Sequence, residues 1–424
     1  MERVLVKDVR NWIGQEILVK GWVHRIREMG KVNFVLLRDR SGFLQLVFNQ
    51  KPDFTLESVL SVTGLVKVNE KAPGGAELEV ASVELLSMAD PELPIPVNLD
   101  PDKHNIDALL DNRIIALRNP KIRSIFELQS AILRSFSEMM HREGFYEMKT
   151  SKLIGSGTEG GTGLFSVDYF DTKVYLAQSP QFYKQAMISS GLERVFEISH
   201  AYRAEKHDTP RHLNEYVSFD VEMAFIDSEL DLINFERRLL EGVFSRLGEL
   251  CPSIFSDWDS PLPEKGYMNK VPLVDHDEAK DIIGSELGKK VFEIAPEGER
   301  ALCDWAQKKH GVDAIFINGW PRKKRPFYTY PKDQKTMSFD LIFRGLEITT
   351  GGRRINDYQM LLETLPKFGM TEQGLEDYLT IFKYGCPPHG GFAIGVERLT
   401  QKLLGIDNVK MASPFPRDRR RVRP

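Results

Sequence analysis

Residues 196–225, FEISHAYRAEKHDTPRHLNEYVSFDVEMAF, read as a strand, a charged loop and a second strand, with Arg203 where the first strand gives way to the loop. A second stretch, HGGFAIGVERLTQKLLG at residues 389–405, reads as a strand running through a glycine turn into a helix that carries Arg398. Guanidinium groups bind phosphate oxygens through paired hydrogen bonds and need no glycine-rich loop. The point matters because the chain has no GxxxxGK[ST] loop, the nearest approach being GSELGKKV at residues 284–291, and no GxGxxG after a strand. A lone arginine on a strand is more often a surface salt-bridge partner.

Outward from these two stretches, β-rich runs such as VYLAQ mix with helical ones such as ELDLINFERRLLEGVFSRL, so the large C-terminal part is expected to be an α+β domain dominated by antiparallel pairing. Residues 121–144 place Ile122, Ile125, Leu128, Ile132 and Phe136 at helical spacing and break at Gly144. Upstream, MADPELPIPVNLDPDKHN at residues 88–105 is dense in proline and charge and has no period, as a linker would be. Before it, ILVKGWVHRI, VNFVLLRD, FLQLVF, LSVTGLVKV and LEVASVELL alternate apolar and polar residues between turns. Five such strands suggest an oligonucleotide-binding β-barrel, whose open face commonly carries single-stranded nucleic acid, although a purely structural barrel has the same pattern. The expected organisation is a barrel at 1–87, a hinge at 88–115 and a catalytic domain at 116–424.

Composition narrows the class. The 424 residues are 42% hydrophobic and carry a net charge of −4, which excludes a general nucleic-acid coat and leaves RNA contact to local basic patches. Cys251, Cys303 and Cys386 lie far apart without a CxxC pair, so neither a zinc site nor a disulfide framework is indicated. The N-terminus MERVLVKDVR breaks its apolar residues with charges, and no stretch approaches a membrane span, so a cytoplasmic protein with no membrane partner is expected.

The stretches around Arg203 and Arg398 resemble the second and third signature motifs of class II aminoacyl-tRNA synthetases, and the pairing of two long motifs reverses the surface reading of either arginine. The resemblance to aspartyl enzymes of the compact, archaeal-like type is closest. YLAQSPQFYKQ, residues 175–185, is similar to the family's amino-acid-binding segment, which implies Gln181 and Lys184 at the substrate, with Lys184 on its side-chain carboxylate. FDLIFRGLEITTGGRRI, residues 339–355, is similar to the segment that carries the second carboxylate-reading cation, here Arg354. Stranding a buried polar group costs on the order of 1 to 3 kcal/mol, so a site that pairs two cations with one carboxylate rejects asparagine. The same segment implies a magnesium site at Glu347 and Thr350, with Asp340 beside them; Thr350 replaces a more usual serine.

The resemblance further implies Glu159, in the GSGTEGGTGLF loop at residues 155–165, and Asp220 at the substrate ammonium. It implies Arg203, Ala204, Glu205, Arg211, His212, Leu213, Tyr216, Glu347, Gly395, Val396, Glu397 and Arg398 at ATP, with Tyr216 stacked on adenine. Arg203, Glu347 and Arg398 are the expected catalytic residues, acting by position and charge. On the barrel, Phe34 and Gln45 match positions that meet anticodon bases; Arg25, Arg27 and Lys31 could hold phosphates. His24 stands where discriminating enzymes tend to have tryptophan, which extends the expected partners from ATP, L-aspartate and tRNA(Asp) to tRNA(Asn). REGFYEMKTSKL, residues 142–153, resembles the first motif and implies a homodimer, with Ser151 where proline is usual. The arginine-rich end after Phe415 is expected near the active site. Rival readings are an asparaginyl or lysyl enzyme, an ammonia-dependent asparagine synthetase, which would lack the barrel, and a non-catalytic RNA-binding paralogue.

Overall fold

In the computed structural model, residues 1–30, 32–98, 100–155, 163–205 and 207–423 are described, and the chain divides into two compact units at the Asn119/Pro120 peptide. The first unit is built on strands β1 (Glu16–Met29), β2 (Val32–Asp39), β3 (Gly42–Phe48), β4 (Val59–Val68) and β5 (Ala76–Ser87). They close into a barrel in the order β1-β2-β3-β5-β4, antiparallel throughout except for the parallel pairing of β3 with β5 that seals it. Alternation does the work here: Ile17, Val19, Val23, Val35, Leu37, Leu44, Leu46, Leu60, Val62 and Leu78 all point inward and are buried. Each such side chain contributes roughly 1.5 to 3 kcal/mol when taken out of water. Within residues 88–115, read as a hinge, lies a short helix at Ile106–Asp111, and a second, Arg113–Ala116, ends one residue beyond it.

The second unit opens with helix α1 (Pro120–Arg142), which buries Ile122, Ile125, Leu128, Ile132, Phe136 and Met140 along one stripe. Its sheet has eight strands: β6 (Tyr146–Glu147), β7 (Arg194–Tyr202), β8 (Glu215–Ala224), β9 (Leu273–Asp275), β10 (Ala314–Asn318), β11 (Ser338–Phe343), β12 (Leu346–Arg353) and β13 (His389–Gly395). Their order is β9-β10-β11-β12-β13-β8-β7-β6, antiparallel in the middle and parallel at both edges, where β9 joins β10 and β6 joins β7. The sheet is thus mixed, with the expected antiparallel pairing at its centre. Helix α2 (Gln181–Met187) precedes β7, and α3 (Glu229–Leu250) follows β8 behind a Ser228 capping box. The Phe136 ring of α1 stacks on Phe219 of β8 at 4.2 Å, and Phe235 of α3 meets Phe392 of β13, so both helices pin the central strands. Helix α4 (Pro296–His310) precedes β10, and α5 (Val396–Leu404) continues directly from β13.

Candidate active site

A cavity of about 910 Å³ is lined by α2, the loop between β7 and β8, the segment 323–329 and the middle of β8, β12 and β13. At one end lies a group of buried charges. Lys184, 1% exposed, projects from α2, and its Nζ donates to Asp220 Oδ1 at 2.9 Å and stands 3.4 Å from Glu222 Oε2. Asp220 and Glu222 are two apart on β8 and so share a face. Arg354, just past β12, donates from Nε to Glu222 Oε1 at 3.0 Å, and from Nη2 to Gln181 Oε1 at 3.2 Å and to the Gly391 carbonyl at 3.1 Å. A side chain at 391 could not be accommodated, because a Cβ there would lie 2.2 Å from Glu222 Oε2.

Glu222 is the residue that sequence reasoning missed, although its i, i+2 spacing to Asp220 on an apolar strand was a usable signal. Burial acts to raise its pKa, but Arg354 and then Lys184 outweigh burial and hold the carboxyl below its ordinary value. The two cations expected for one substrate carboxylate therefore already have two protein carboxylates beside them. Such a set is rigid, since removing one member of a buried pair costs roughly 3 to 5 kcal/mol. Gln181 Nε2 is buried and has no hydrogen-bond partner among the described residues, a donor positioned for a ligand oxygen.

At the other end, Arg203, Arg211, His212 and Arg398 line the cavity together with Tyr216, and the Arg203 guanidinium sits 5.7 Å from the Tyr216 ring centre. Arg398 Nη1 donates to the Glu347 carbonyl at 2.9 Å, which ties the start of α5 to β12. Burial, and after it the neighbouring Arg398, lowers the His212 pKa, so that at neutral pH the ring adds no further charge to the cluster. Arg211 is held by Glu299 of α4, a contact between segments far apart in the chain. Glu397 lines the cavity as well; both its oxygens accept from the Val217 N–H at 3.0 Å, and burial pushes its carboxyl up to about 7.

Between the two ends, Thr350 Oγ1 donates to Glu347 Oε1 at 3.0 Å. Residues three apart on a regular strand face opposite sides; here the register shifts after Leu341, so that Ile342 pairs with Glu347 while Leu341 pairs with Thr349, leaving Ile348 as the extra residue. The bulge brings Glu347 and Thr350 to one side and sends Thr349 to the other, where it donates to Glu236 of α3 at 2.6 Å. A carboxylate and a hydroxyl in a cavity lined by arginines suit magnesium, which keeps several waters and is generally held in part through substrate phosphates. A dedicated cage of three or more acidic, histidine or cysteine side chains does not occur among the described residues. Asp340, the third expected ligand, does not line the cavity; it is buried in an ion pair with Arg325 at 2.7 Å, and burial raises its carboxyl to about 7.

Glu205, Leu213 and Gly395 line the cavity as well, whereas Ala204 and Val396 do not. Glu159 and Lys31 lie outside the described residues.

On the barrel, Arg25, Arg27, Phe34, Leu36, Gln45, Lys71 and Pro73 line a shallow cleft of about 200 Å³. Gln45 Nε2 donates to Glu77 at 2.8 Å. His24 is not among these residues: it is 8% exposed, with Nδ1 3.1 Å from Arg38 Nη1, and Arg38 in turn forks onto Glu57 at 2.8 and 3.1 Å. Burial and, after it, Arg38 lower its pKa to about 4, so the ring is neutral and accepts from the guanidinium.

The model of the tRNA synthetases class II (D, K and N) family matches residues 105–419, and that of the OB-fold nucleic acid binding domain matches residues 17–86. The chain is 46% identical to the aspartate–tRNA(Asp/Asn) ligase of Thermus thermophilus, with all of both chains covered. It is 39% identical to the aspartate–tRNA(Asp) ligase of Pyrococcus horikoshii, with 97% of each covered. Among solved structures, the asparaginyl-tRNA synthetase of Pyrococcus horikoshii with asparaginyl-adenylate superposes with a TM-score of 0.91 at 30% identity, over the whole of both chains.

Proposed function

The chain belongs to the class II tRNA synthetases of the aspartate, lysine and asparagine group, and on that footing we propose that it activates L-aspartate with ATP and transfers it to tRNA. One observation carries the choice of amino acid: the two cations Lys184 and Arg354 are buried in the same cavity as Arg203 and Arg398. In this reading Lys184, Arg354 and the Gln181 Nε2 donor receive the aspartate side chain, Asp220 faces its ammonium group, and the Arg203 end receives the triphosphate. Tyr216 stacks on adenine, and the family resemblance adds Glu159 to the residues that serve the ammonium group.

An oxygen of the aspartate α-carboxylate attacks the α-phosphorus, the bond to pyrophosphate breaks, and aspartyl-adenylate forms. Arg203 and Arg398 balance the charge that grows on the phosphate oxygens. The terminal ribose hydroxyl of tRNA then attacks the adenylate carbonyl and AMP leaves. No side chain is needed as a covalent nucleophile; positioning supplies most of the acceleration. Glu347 and Thr350 would hold magnesium, which would supply further positive charge to the phosphates.

The enzyme is proposed to act as a homodimer through residues 142–153, and in the cytoplasm, where its three free cysteines suit a reducing compartment. We assign the cleft around Phe34 and Gln45 to the anticodon, and both tRNA(Asp) and tRNA(Asn) as substrates. What supports the second tRNA is His24 together with the Asp/Asn designation of the Thermus thermophilus relative. Charging purified tRNA(Asp) and tRNA(Asn) with labelled aspartate tests this; both become labelled, and an unlabelled tRNA(Asn) would restrict the enzyme to one tRNA.

A further inference from the structure

The loop that carries Arg211 and His212 is tied to the C-terminal segment, residues 408–421. Val409 N–H donates to the Pro210 carbonyl at 2.9 Å, Asn214 N–H donates to the Arg417 carbonyl at 2.9 Å, and Glu215 and Arg417 form an isolated antiparallel bridge. At the centre of this junction stands Lys410, only 6% exposed. Its Nζ lies 2.5 Å from Asp208 of the loop and 2.7 Å from Asp418 of the C-terminal segment. Asp418 is itself fixed: it accepts from the backbone N–H groups of Arg420 and Arg421 at 2.8 and 2.9 Å and pairs with the Arg421 side chain at 3.1 Å. Lys410 starts from a short turn whose first residue, Asn408, caps the Lys410 N–H at 3.1 Å.

We propose that Lys410 is a positioning residue for ATP: it clasps Asp208 to Asp418 and so holds Arg211 and His212 at the triphosphate end of the cavity. The charge count favours this role over simple packing. A lysine buried between two carboxylates gains little net stability from the arrangement, because desolvation offsets most of the attraction, but it fixes geometry tightly. Asp208 retains about a third of its side-chain surface, so the clasp secures the loop at a point that would otherwise fray. Arg211 and His212 are three and four residues further on, within reach of any displacement at Asp208. The C-terminal segment is thereby part of the ATP site, although it contributes only Val409 to the cavity lining.

This inference rests on the ATP reading above, and its test separates the two. Wild-type enzyme and the variants Lys410→Ala, Lys410→Arg and Asp208→Asn are compared in aspartate-dependent ATP–pyrophosphate exchange, in thermal melting and in limited trypsin digestion. Lys410→Ala is expected to raise the KM for ATP by about tenfold while the KM for aspartate stays within about twofold, since small misplacements of positioning groups are costly. Cleavage within residues 204–212 should quicken several-fold, a readout that needs no catalysis, and Lys410→Arg should restore both. Asp208→Asn, which removes the more exposed end of the clasp, should show the same pattern if Lys410→Ala does not fold. ATP affinity and cleavage like those of wild type would overturn the proposal. So would equal losses for both substrates that track a lower melting temperature. Absence of exchange in the wild type would count instead against the ATP reading, with the digestion result still deciding the clasp.

Discussion

Lys184, Asp220, Glu222 and Arg354 share a space in which none is more than 7% exposed. At the scale of single residues this is what distinguishes the site: two cations and two carboxylates are satisfied before any ligand arrives. Sequence reading could find the cations, because they lie in recognisable segments. It could not find how many counter-charges fold in beside them, because a glutamate on a strand does not announce its neighbours. Glu236 is the sharper case. It is fully buried on α3, accepts from Thr349, and burial pushes its carboxyl up to about 8 against that hydrogen bond. An unfolded glutamate releases its proton near 4.5. The folded protein therefore binds the extra proton, so the stability this group contributes is full below about pH 4.5 and is lost as pH rises through about 8. Glu236→Gln keeps the shape without a proton to lose. Its urea midpoint should match wild type at about pH 5 and exceed it at about pH 9; parallel behaviour of the two proteins across that range would refute the assignment.

Among elements, the regular ones were readable and the irregular ones were not. Five barrel strands and the helix over residues 120–142 stand out because their apolar residues keep a period of two or of about 3.6 over several turns. The short helices at 106–111 and 113–116 give less than two turns of pattern and read as linker. Two bulges shape the candidate sites, and a bulge breaks the very alternation that reveals a strand. The one at Ile348 joins Glu347 to Thr350. The other lies between Val23 and Arg25 of β1, where His24 turns inward to Arg38, and from there Arg25 and Arg27 pair with Leu36 and Phe34 on the cleft side. That is why His24, adjacent to the cleft residues in sequence, is not brought to the cleft. Phe34, part-buried on β2, is left with its ring at the cleft. If it stacks on an anticodon base, Phe34→Ala should lower kcat/KM for tRNA charging by the equivalent of roughly 1 to 3 kcal/mol, and leave aspartate-dependent exchange unchanged. Equal charging by wild type and variant would remove Phe34 from the interface.

For the molecule as a whole, the division of labour was legible early. A chain with a net charge of −4 offers RNA no bulk attraction, and its local basic groups include Arg25 and Arg27 on the barrel cleft and the five arginines of residues 417–423. The fold class and the synthetase family followed from two strand-centred motifs; what stayed hidden was long-range wiring. Lys410 and Asp208 are 202 residues apart, and Arg211 and Glu299 are 88 apart. No local pattern encodes such pairs, because each is set by how the chain returns to the sheet. The central claim concerns what the buried cations select, and ATP–pyrophosphate exchange with aspartate or asparagine as the sole amino acid tests it most directly. Exchange should run with aspartate and stay at background with asparagine. Exchange that ran with asparagine and not with aspartate would contradict the account.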